Sequence, residues 1–244
     1  AASWKGDKYN DNQSEIRLHK LVNDAQRLAA PRDTRFGTGE DPAVLQPTWK
    51  FPEPDQVGIG GMAVWNGTVV VSLPKMNALL LVDAAGSAVR GTVPLESPRG
   101  LAFDSSGRLL AVSGRQVVRV TLPTGERPGE AAAAGVVVAG GLEDPQQLAL
   151  DADGNLYVSD RGIANQVKVF TPDGAPLRTI GLAGVAKAGP YDPRQMHNPK
   201  GLAIDARGQL WVAEDDFQPK RVSVWSLDGR LLRAFYGPPV YGGG

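Results

Sequence analysis

The chain carries one pattern four times, and this repeat restricts the available folds more than any other feature. In its clearest copy, residues 199–237, the runs are PKGLAID, a turn at Gly208, LWVAE, VSVW, a turn at Asp228-Gly229, and LLRAFYG. Apolar residues alternate with other residues at period two in these runs, as they do in β-strands with two distinct faces. The glycines between the runs suit tight turns. Each copy therefore predicts a four-stranded antiparallel meander.

Three further copies precede this one, beginning at Pro145, at Pro98 and, more faintly, at Gly60. Their equivalent apolar positions are separated by 39, 47 and 54 residues, and these positions are Met62, Leu101, Leu148 and Leu202. Repeats of roughly 40–50 residues with four strands each are typical of β-propeller blades. We therefore predict an all-β propeller of four-stranded antiparallel blades, with blades at 58–96, 97–141, 144–182 and 198–237.

Over residues 58–237 the repeat resembles the NHL repeat of six-bladed propellers, on the pattern Pro-x-Gly-Leu-Ala-x-Asp, Leu-Tyr/Trp-Val, Val-x-Val-Phe/Trp and Asp-Gly. The family pattern has Asp-x-x-Asn after the second strand. Here the third copy has Asp160 and Arg161 with Asn165 a little later, and the fourth has Glu214 followed by Asp215. The resemblance implies a scaffold, an RNA-binding module, a lyase or a lactonase, and the fold alone does not choose among these.

Residues 1–57 do not follow the repeat and form a predicted N-terminal extension to the propeller of 58–244. Within it, 14–29 read as one short helix that ends before Pro31, with a single apolar stripe formed by Leu18, Leu21, Val22, Ala25, Leu28 and Ala29. Residues 45–52 resemble an outer strand that closes a blade. Since four units are fewer than six, we favour an arc or fragment of a larger propeller over a compact ring of four or five blades.

Charge and composition exclude several classes of function. Lys plus Arg and Asp plus Glu both number 26, so no net field attracts a polyanion, and we expect no nucleic-acid partner. No apolar run is long enough to span a membrane. The absence of cysteine excludes disulfides and thiolate ligands. The composition resembles that of exported bacterial NHL-type proteins, which predicts a periplasmic or secreted location.

Two groups of acidic residues invite a metal interpretation. Residues 151–155 resemble the start of a calcium loop, but Gly162 occupies the twelfth position, where a bidentate Glu is needed. We therefore favour a hairpin turn and predict no cofactor, with calcium left as the alternative. Asp104, Asp151 and Asp205 recur at one strand end of each repeat, which favours shared turn hydrogen bonds over catalysis.

Zinc ligation of the kind found in the amidating lyases of the NHL group is disfavoured by the repeat itself. The resemblance implies a histidine just before the Leu of the first strand. The four equivalent positions hold residues that cannot bind zinc in this way, namely Gly61, Gly100, Gln147 and Gly201. We predict no catalytic residue.

Recurrent aromatic residues predict packing between blades. Tyr157 is equivalent to Trp211, and Phe170 to Trp225. A ligand-stacking residue has no reason to recur at one blade position, so we expect all four to be buried against a neighbouring blade. On this interpretation, Trp211→Ala would cost ~3–5 kcal/mol.

The loop at 184–198 is the largest insertion between recognisable blades, and it breaks the symmetry of the repeat. Asymmetric loops on a rigid scaffold are where binding sites usually lie. We predict a binding site formed by Tyr191, Arg194 and His197 of this loop with Asp160 and Arg161 at a nearby strand end. For His197, acid–base catalysis is weighed against a structural role, which we favour in the absence of a paired carboxylate.

Two functions of different classes remain open from the sequence. The first is a non-enzymatic propeller scaffold or binding module, part of a larger exported bacterial protein, that takes a protein or glycan partner, the remainder of a longer chain or another subunit. The alternative is a metal-dependent lyase or lactonase-like enzyme with its site in the central channel.

Overall fold

Four sheets of four strands each follow one another along the chain in the computed structural model, which describes residues 58–85, 89–122, 134–184, 192–215 and 221–237. The strands are β1 (Gly61–Trp65), β2 (Thr68–Leu73), β3 (Ala78–Asp83), β4 (Val89–Pro94), β5 (Pro98–Phe103), β6 (Leu109–Ser113), β7 (Gln116–Val120), β8 (Ala134–Val138), β9 (Pro145–Leu150), β10 (Leu156–Asp160), β11 (Gln166–Phe170), β12 (Pro176–Ile180), β13 (Pro199–Ile204), β14 (Gln209–Glu214), β15 (Arg221–Ser226) and β16 (Leu231–Tyr236).

Every sheet is an antiparallel meander of consecutive strands, so β1–β4 form blade 1, β5–β8 blade 2, β9–β12 blade 3 and β13–β16 blade 4. The all-β fold of four-stranded antiparallel blades is confirmed. The helix predicted at 14–29 and the strand predicted at 45–52 lie outside the described residues. Within the described ranges, the helical structure is one 3-10 turn at Pro74–Met76, and no helix there could cross a membrane.

The first strand of blades 2–4 begins three residues earlier than the repeat predicts, at 98, 145 and 199 in place of 101, 148 and 202. Pro98, Pro145 and Pro199 are the first residues of β5, β9 and β13 instead of preceding them. A proline is tolerated at the first position of a strand because no ladder hydrogen bond is needed from its nitrogen. The pairing with the second strand shifts register near each proline, which accommodates the longer strand.

The first strands of successive blades lie side by side, β1 against β5, β5 against β9 and β9 against β13. The Gln147 side chain on β9 donates from Nε2 to the Gly60 carbonyl beside β1, two blades away, at 3.2 Å. A Cβ at Gly100, between them, would lie 2.5 Å from the Gln147 Cα, so only glycine fits there. The first strands therefore gather around a common axis, as in a propeller.

Apolar residues on both faces of blades 2 and 3 pack against the two neighbouring blades. In blade 2, Leu109 and Ala111 face blade 1, whereas the alternate residues Leu110 and Val112 face blade 3. The interface between blades 3 and 4 is built the same way, from Tyr157, Val167, Val169 and Ile180 against Leu210, Val212 and Trp225. Two buried faces explain the nearly continuous apolar runs of the second strands.

The predicted burial of the recurrent aromatic residues is confirmed at three positions and wrong at Trp211. Tyr157, Phe170 and Trp225 are 0–4% exposed within the interfaces between blades. Trp211 is only partly buried, on the face of blade 4 that points away from blade 3. It stacks on Phe235 of its own blade, which is 52% exposed. The repeat identifies the correct face, but no further blade covers that face within the described residues.

Candidate functional site

All first strands begin at one end of the propeller, here called the upper end, and the loops that carry the predicted site residues meet there. The residue that ends the second strand anchors the loop in front of the first strand of the same blade. In blade 2, Ser113 Oγ donates to the Glu96 carbonyl at 2.7 Å, two residues before Pro98. Blades 3 and 4 place a buried carboxylate at the equivalent position, Asp160 and Glu214.

Asp160 is 1% exposed, and its carboxylate is fully engaged. It accepts backbone N–H groups of Glu143 at 3.0 Å and Asp144 at 2.6 Å, and Lys168 Nζ lies 2.6 Å away. A buried carboxylate needs both paired charge and hydrogen bonds to offset its desolvation. Asp160 therefore holds the loop between blades 2 and 3 in place from beneath the surface.

Glu214 anchors the next loop through a second buried ion pair. Its Oε1 lies 2.6 Å from Arg221 Nε, and both side chains are fully buried. Its Oε2 accepts the His197 backbone N–H at 2.8 Å. Arg221 also donates to the carbonyl oxygens of Pro193 and Gln195, at 2.6 and 2.9 Å. Burial raises the pKa of Glu214, and Arg221 and the His197 amide oppose that rise.

Adjacent blades are joined at the upper end by asparagines in the left-handed conformation just before the third strand. Asn77, at φ 50°, accepts the Ser97 backbone N–H on Oδ1 at 2.8 Å. Asn165, at φ 48°, accepts the Asn198 backbone N–H at 3.1 Å in the same way. In each pair the donor immediately precedes the proline that begins the next blade. Asn165 thus fulfils a structural role that its offset from the family pattern concealed.

An exposed charge cluster links the upper ends of blades 3 and 4. Asp215 Oδ2 accepts both Arg161 Nη2 at 2.6 Å and Lys200 Nζ at 3.1 Å. Burial raises the pKa of Asp215, but hydrogen bonds from the two cations hold it below its ordinary value. The Lys200 and Asp215 side chains are more than half exposed. The cluster is therefore part of the solvent-exposed surface of the upper end, together with Ile163, which is 80% exposed.

The predicted loop site is described in part. Arg194 pairs with Asp192 through two hydrogen bonds of 3.1 and 2.8 Å, which lower the pKa of Asp192 to about 2. His197 is half-buried beside this pair in sequence, with its backbone held by Glu214. Tyr191, like Lys187, lies outside the described residues. Arg194, His197, Asp160 and Arg161 all belong to the upper end of blades 3 and 4, and their role in binding stays a prediction.

At the opposite, lower end, the recurrent aspartates form turns, and the turn interpretation of residues 151–155 is confirmed. Asp151 Oδ1 accepts the backbone N–H groups of Asp153 and Asn155 at 3.0 and 2.9 Å. Asp104 and Asp205 each accept the same pair of N–H groups, two and four residues further on. Within the described part of the chain, no cluster of three or more Asp, Glu or His residues is placed to hold a metal ion.

In Asp151 and Asp205, the second carboxylate oxygen accepts a hydrogen bond from an aromatic residue of the second strand, whereas that of Asp104 accepts one from Arg108 Nε. Asp151 Oδ2 accepts the Tyr157 hydroxyl at 3.1 Å, and Asp205 Oδ2 accepts Trp211 Nε1 at 3.0 Å. Burial, followed by the Asp151 charge, raises the pKa of Tyr157 to about 12. The hydrogen bond from Tyr157 to Asp151, which links β10 to the turn after β9, therefore requires the neutral phenol.

A raised tyrosine pKa gives a stability contribution that is complete below about pH 10 and is lost as pH rises through about 12. We expect the free energy of unfolding to fall by roughly 1–2 kcal/mol over this interval, a value reduced for solvent screening. The measurement is urea unfolding at successive pH values. Tyr157→Phe should have a lower free energy of unfolding at neutral pH, but it should lack this part of the decline at high pH. Parallel pH curves for the two proteins would contradict the assignment.

Comparison with known proteins supports the fold and goes no further. Similar solved structures include hydrazine synthase of Kuenenia stuttgartiensis, with TM-score 0.55 and 18% identity over 79% of this chain and 52% of that one. A virginiamycin B lyase from Staphylococcus aureus matches with a TM-score of 0.52 and 14% identity, over 72% of this chain and 55% of the lyase. A gluconolactonase of Xanthomonas campestris matches with a TM-score of 0.52 and 20% identity, over 74% of this chain and 62% of the gluconolactonase.

The chain thus spans between half and two thirds of these structures. No sequence-family model matches it, and neither does any curated protein. The likeness, at 20% identity or less, is one of fold, and these propeller-like neighbours include enzymes of different chemistry. The chain is therefore a β-propeller protein whose activity must be argued from its own residues.

Proposed function

We propose that this chain is a non-enzymatic binding module of the NHL-repeat type, exported from a bacterial cell, that takes a protein or glycan partner at the upper end of blades 3 and 4. The observation that carries the proposal is the use of the carboxylates there. Asp160 and Glu214 are each saturated by a cation and backbone N–H groups. Acids used in this way rigidify loops and are not free to bind metal or move protons.

The surface above these anchors has the composition of a recognition site. Arg161, Lys200 and Asp215 supply directional polar groups, while Ile163 supplies an exposed apolar side chain within the same loop as Arg161. Interfaces commonly combine an apolar centre with a polar rim. Because the supporting loops are fixed by buried ion pairs, binding would require little ordering of the backbone, which favours affinity.

The metal-dependent lyase or lactonase remains the competing function, suggested by the fold of the neighbours. It requires ligands in the central channel, where the four equivalent first-strand positions are three glycines and Gln147. The Gln147 amide is committed to the Gly60 carbonyl at 3.2 Å. These features favour the binding module.

The test combines metal analysis with a binding screen on the purified chain. We expect substoichiometric metal, and a ligand from a glycan array or an exported-protein fraction that the parent binds and Ile163→Asp loses at least tenfold. Leu177→Asp is the matched control. Leu177 is an exposed aliphatic side chain like Ile163, with 45% of its surface exposed, but it lies on β12 away from this surface. A tightly bound metal with lactone or lyase turnover would overturn the proposal, as would equal loss in both variants.

A further inference from the structure

The outward face of blade 4 is an interface between blades that lacks its second side. Its members alternate with those that face blade 3, and they repeat the pattern of the covered face of blade 3. Tyr157, Val167 and Ile180 of blade 3 are at most 1% exposed against blade 4. By strand register, the corresponding residues of blade 4 are Trp211, Val222 and Phe235.

These residues of blade 4 are partly or largely exposed, although Val224, the partner of Trp211 on the same face, is buried. Phe235 is 52% exposed, Trp211 and Val222 are partly exposed, and Ala203 and Ala213 on the same face are exposed. Arg233 extends over the Trp211 ring, 5.4 Å from its centroid. A contiguous apolar face of this kind is costly to leave in water and usually marks an interaction surface.

The corresponding free face at the other end of the blade series is already covered. On the face of blade 1 that points away from blade 2, Val71, Leu80 and Val82 are at most 1% exposed. A second copy of the chain therefore cannot continue the series by placing its blade 1 on blade 4. Because the first strands gather around one axis, both end faces border the same gap, and the chain leads into blade 1 at Gly58 from residues 1–57.

We propose that residues 14–29 of the same chain pack as an amphipathic helix on the face formed by Ala203, Trp211, Ala213, Val222 and Phe235. The six apolar residues of the segment fall on one stripe, the pattern of a helix that packs one side on an apolar surface. A helix of 16 residues is ~24 Å long and ~10 Å wide. A blade of six-residue strands is ~20 Å long and ~14 Å wide. One helix therefore covers most of the face, and residues 30–57 are ample to connect it to Gly58.

The chain contains no cysteine, so introduced thiols give a clean test on the full-length protein. The test pair is Ala25→Cys with Ala213→Cys, at the centre of the stripe and of the face. Both changes are small, and Ala29→Cys replaces Ala25→Cys if the first pair folds poorly. The matched control is Asn23→Cys with Ala213→Cys, because Asn23 lies on the opposite side of the helix.

Under mild oxidation we expect the test pair to form an intramolecular disulfide in most molecules and the control pair to form at least fivefold less. We also expect the single variant Ala213→Cys to react with a thiol reagent more than tenfold more slowly when folded than when denatured. Adding Leu21→Asp should restore fast labelling, whereas Asn23→Asp, with the same charge change, should not.

Three outcomes would overturn the proposal. Fast labelling of the folded Ala213→Cys variant would mean that the face stays open, as expected for a ligand platform on Trp211 and Phe235. A disulfide-linked dimer of that single variant would indicate a second copy on the face. Equal crosslinking of test and control pairs would mean that residues 14–29 do not dock through their apolar stripe.

Discussion

Replacing Trp225 with alanine is expected to destabilise the protein by ~3–5 kcal/mol, the range for large aromatic residues in a packed core. Trp225 is 1% exposed and packs on Tyr157, Val167 and Val169 of blade 3. Its Nε1 donates to Ser223 Oγ at 2.9 Å, and truncation leaves that hydroxyl without this donor. The loss would appear as a fall in melting temperature of roughly 10 °C.

Trp211→Ala is the comparison, because it removes the same side chain from the same blade. Trp211 is partly exposed and contacts mainly Phe235 and Arg233 of its own blade. We expect a smaller loss than for Trp225, of roughly 1–2 kcal/mol, since less apolar area returns to water. Thermal and urea unfolding of the two variants would check the order. Equal losses, or a larger one at position 211, would contradict the assignment of Trp225 to the core between blades.

The repeat predicted the blades well because the pattern that marks a strand is local. Alternation at period two and glycine turns depend on neighbours along the chain, and the strands predicted for the four repeats are present. The turn aspartates, such as Asp151, could be assigned for the same reason, since their partners lie two and four residues away. The residues that recur in the copies are therefore those that the strands and turns of each blade require.

Features that depend on the neighbouring blade were harder to predict. Trp211 and Tyr157 occupy equivalent positions, but burial requires another blade on the far side, which equivalence cannot supply. The asparagines that join blades, Asn77 and Asn165, lie at the ends of loops of different length, so the spacing concealed them. Their signal was an Asn immediately before a third strand, where a left-handed residue is needed.

The sequence grouped residues that lie at the upper end of blades 3 and 4, but it did not show how the loop there is held in place. Arg194 and His197 were chosen because their loop breaks the repeat, and Asp160 and Arg161 because they lie at a nearby strand end. The buried partner of that loop, Arg221, was not recognised. The hairpin register pairs Arg221 with Glu214 directly, so a charged residue at the start of an otherwise apolar strand was the available signal.

Removing either member of this buried pair is expected to destabilise the protein by ~3–5 kcal/mol, because the other is left charged without its partner. Arg221→Met leaves the Glu214 carboxylate without its cation, with hydrogen bonds from Ser223 Oγ and the His197 amide. Glu214→Leu leaves the guanidinium with the carbonyl oxygens of Pro193 and Gln195. Urea unfolding at neutral pH measures both losses.

The double variant Glu214→Leu/Arg221→Met should lose much less than the sum of the two single variants, with a coupling of ~1–3 kcal/mol, since no buried charge remains unpaired. The exposed pair is the control: Asp192→Asn and Arg194→Gln should each leave the free energy of unfolding nearly unchanged. Strict additivity at positions 214 and 221 would contradict direct pairing.

Hydrogen exchange separates the anchoring role from bulk stability. Arg221 binds two carbonyl oxygens of the segment 192–197, and Glu214 binds its His197 amide. In Arg221→Met we expect the amides of this segment to exchange at least tenfold faster than in Trp225→Ala, which is destabilised to a similar degree but leaves these bonds intact. If both variants expose the segment equally, the ion pair stabilises the blade as a whole and does not position the loop that carries Arg194 and His197.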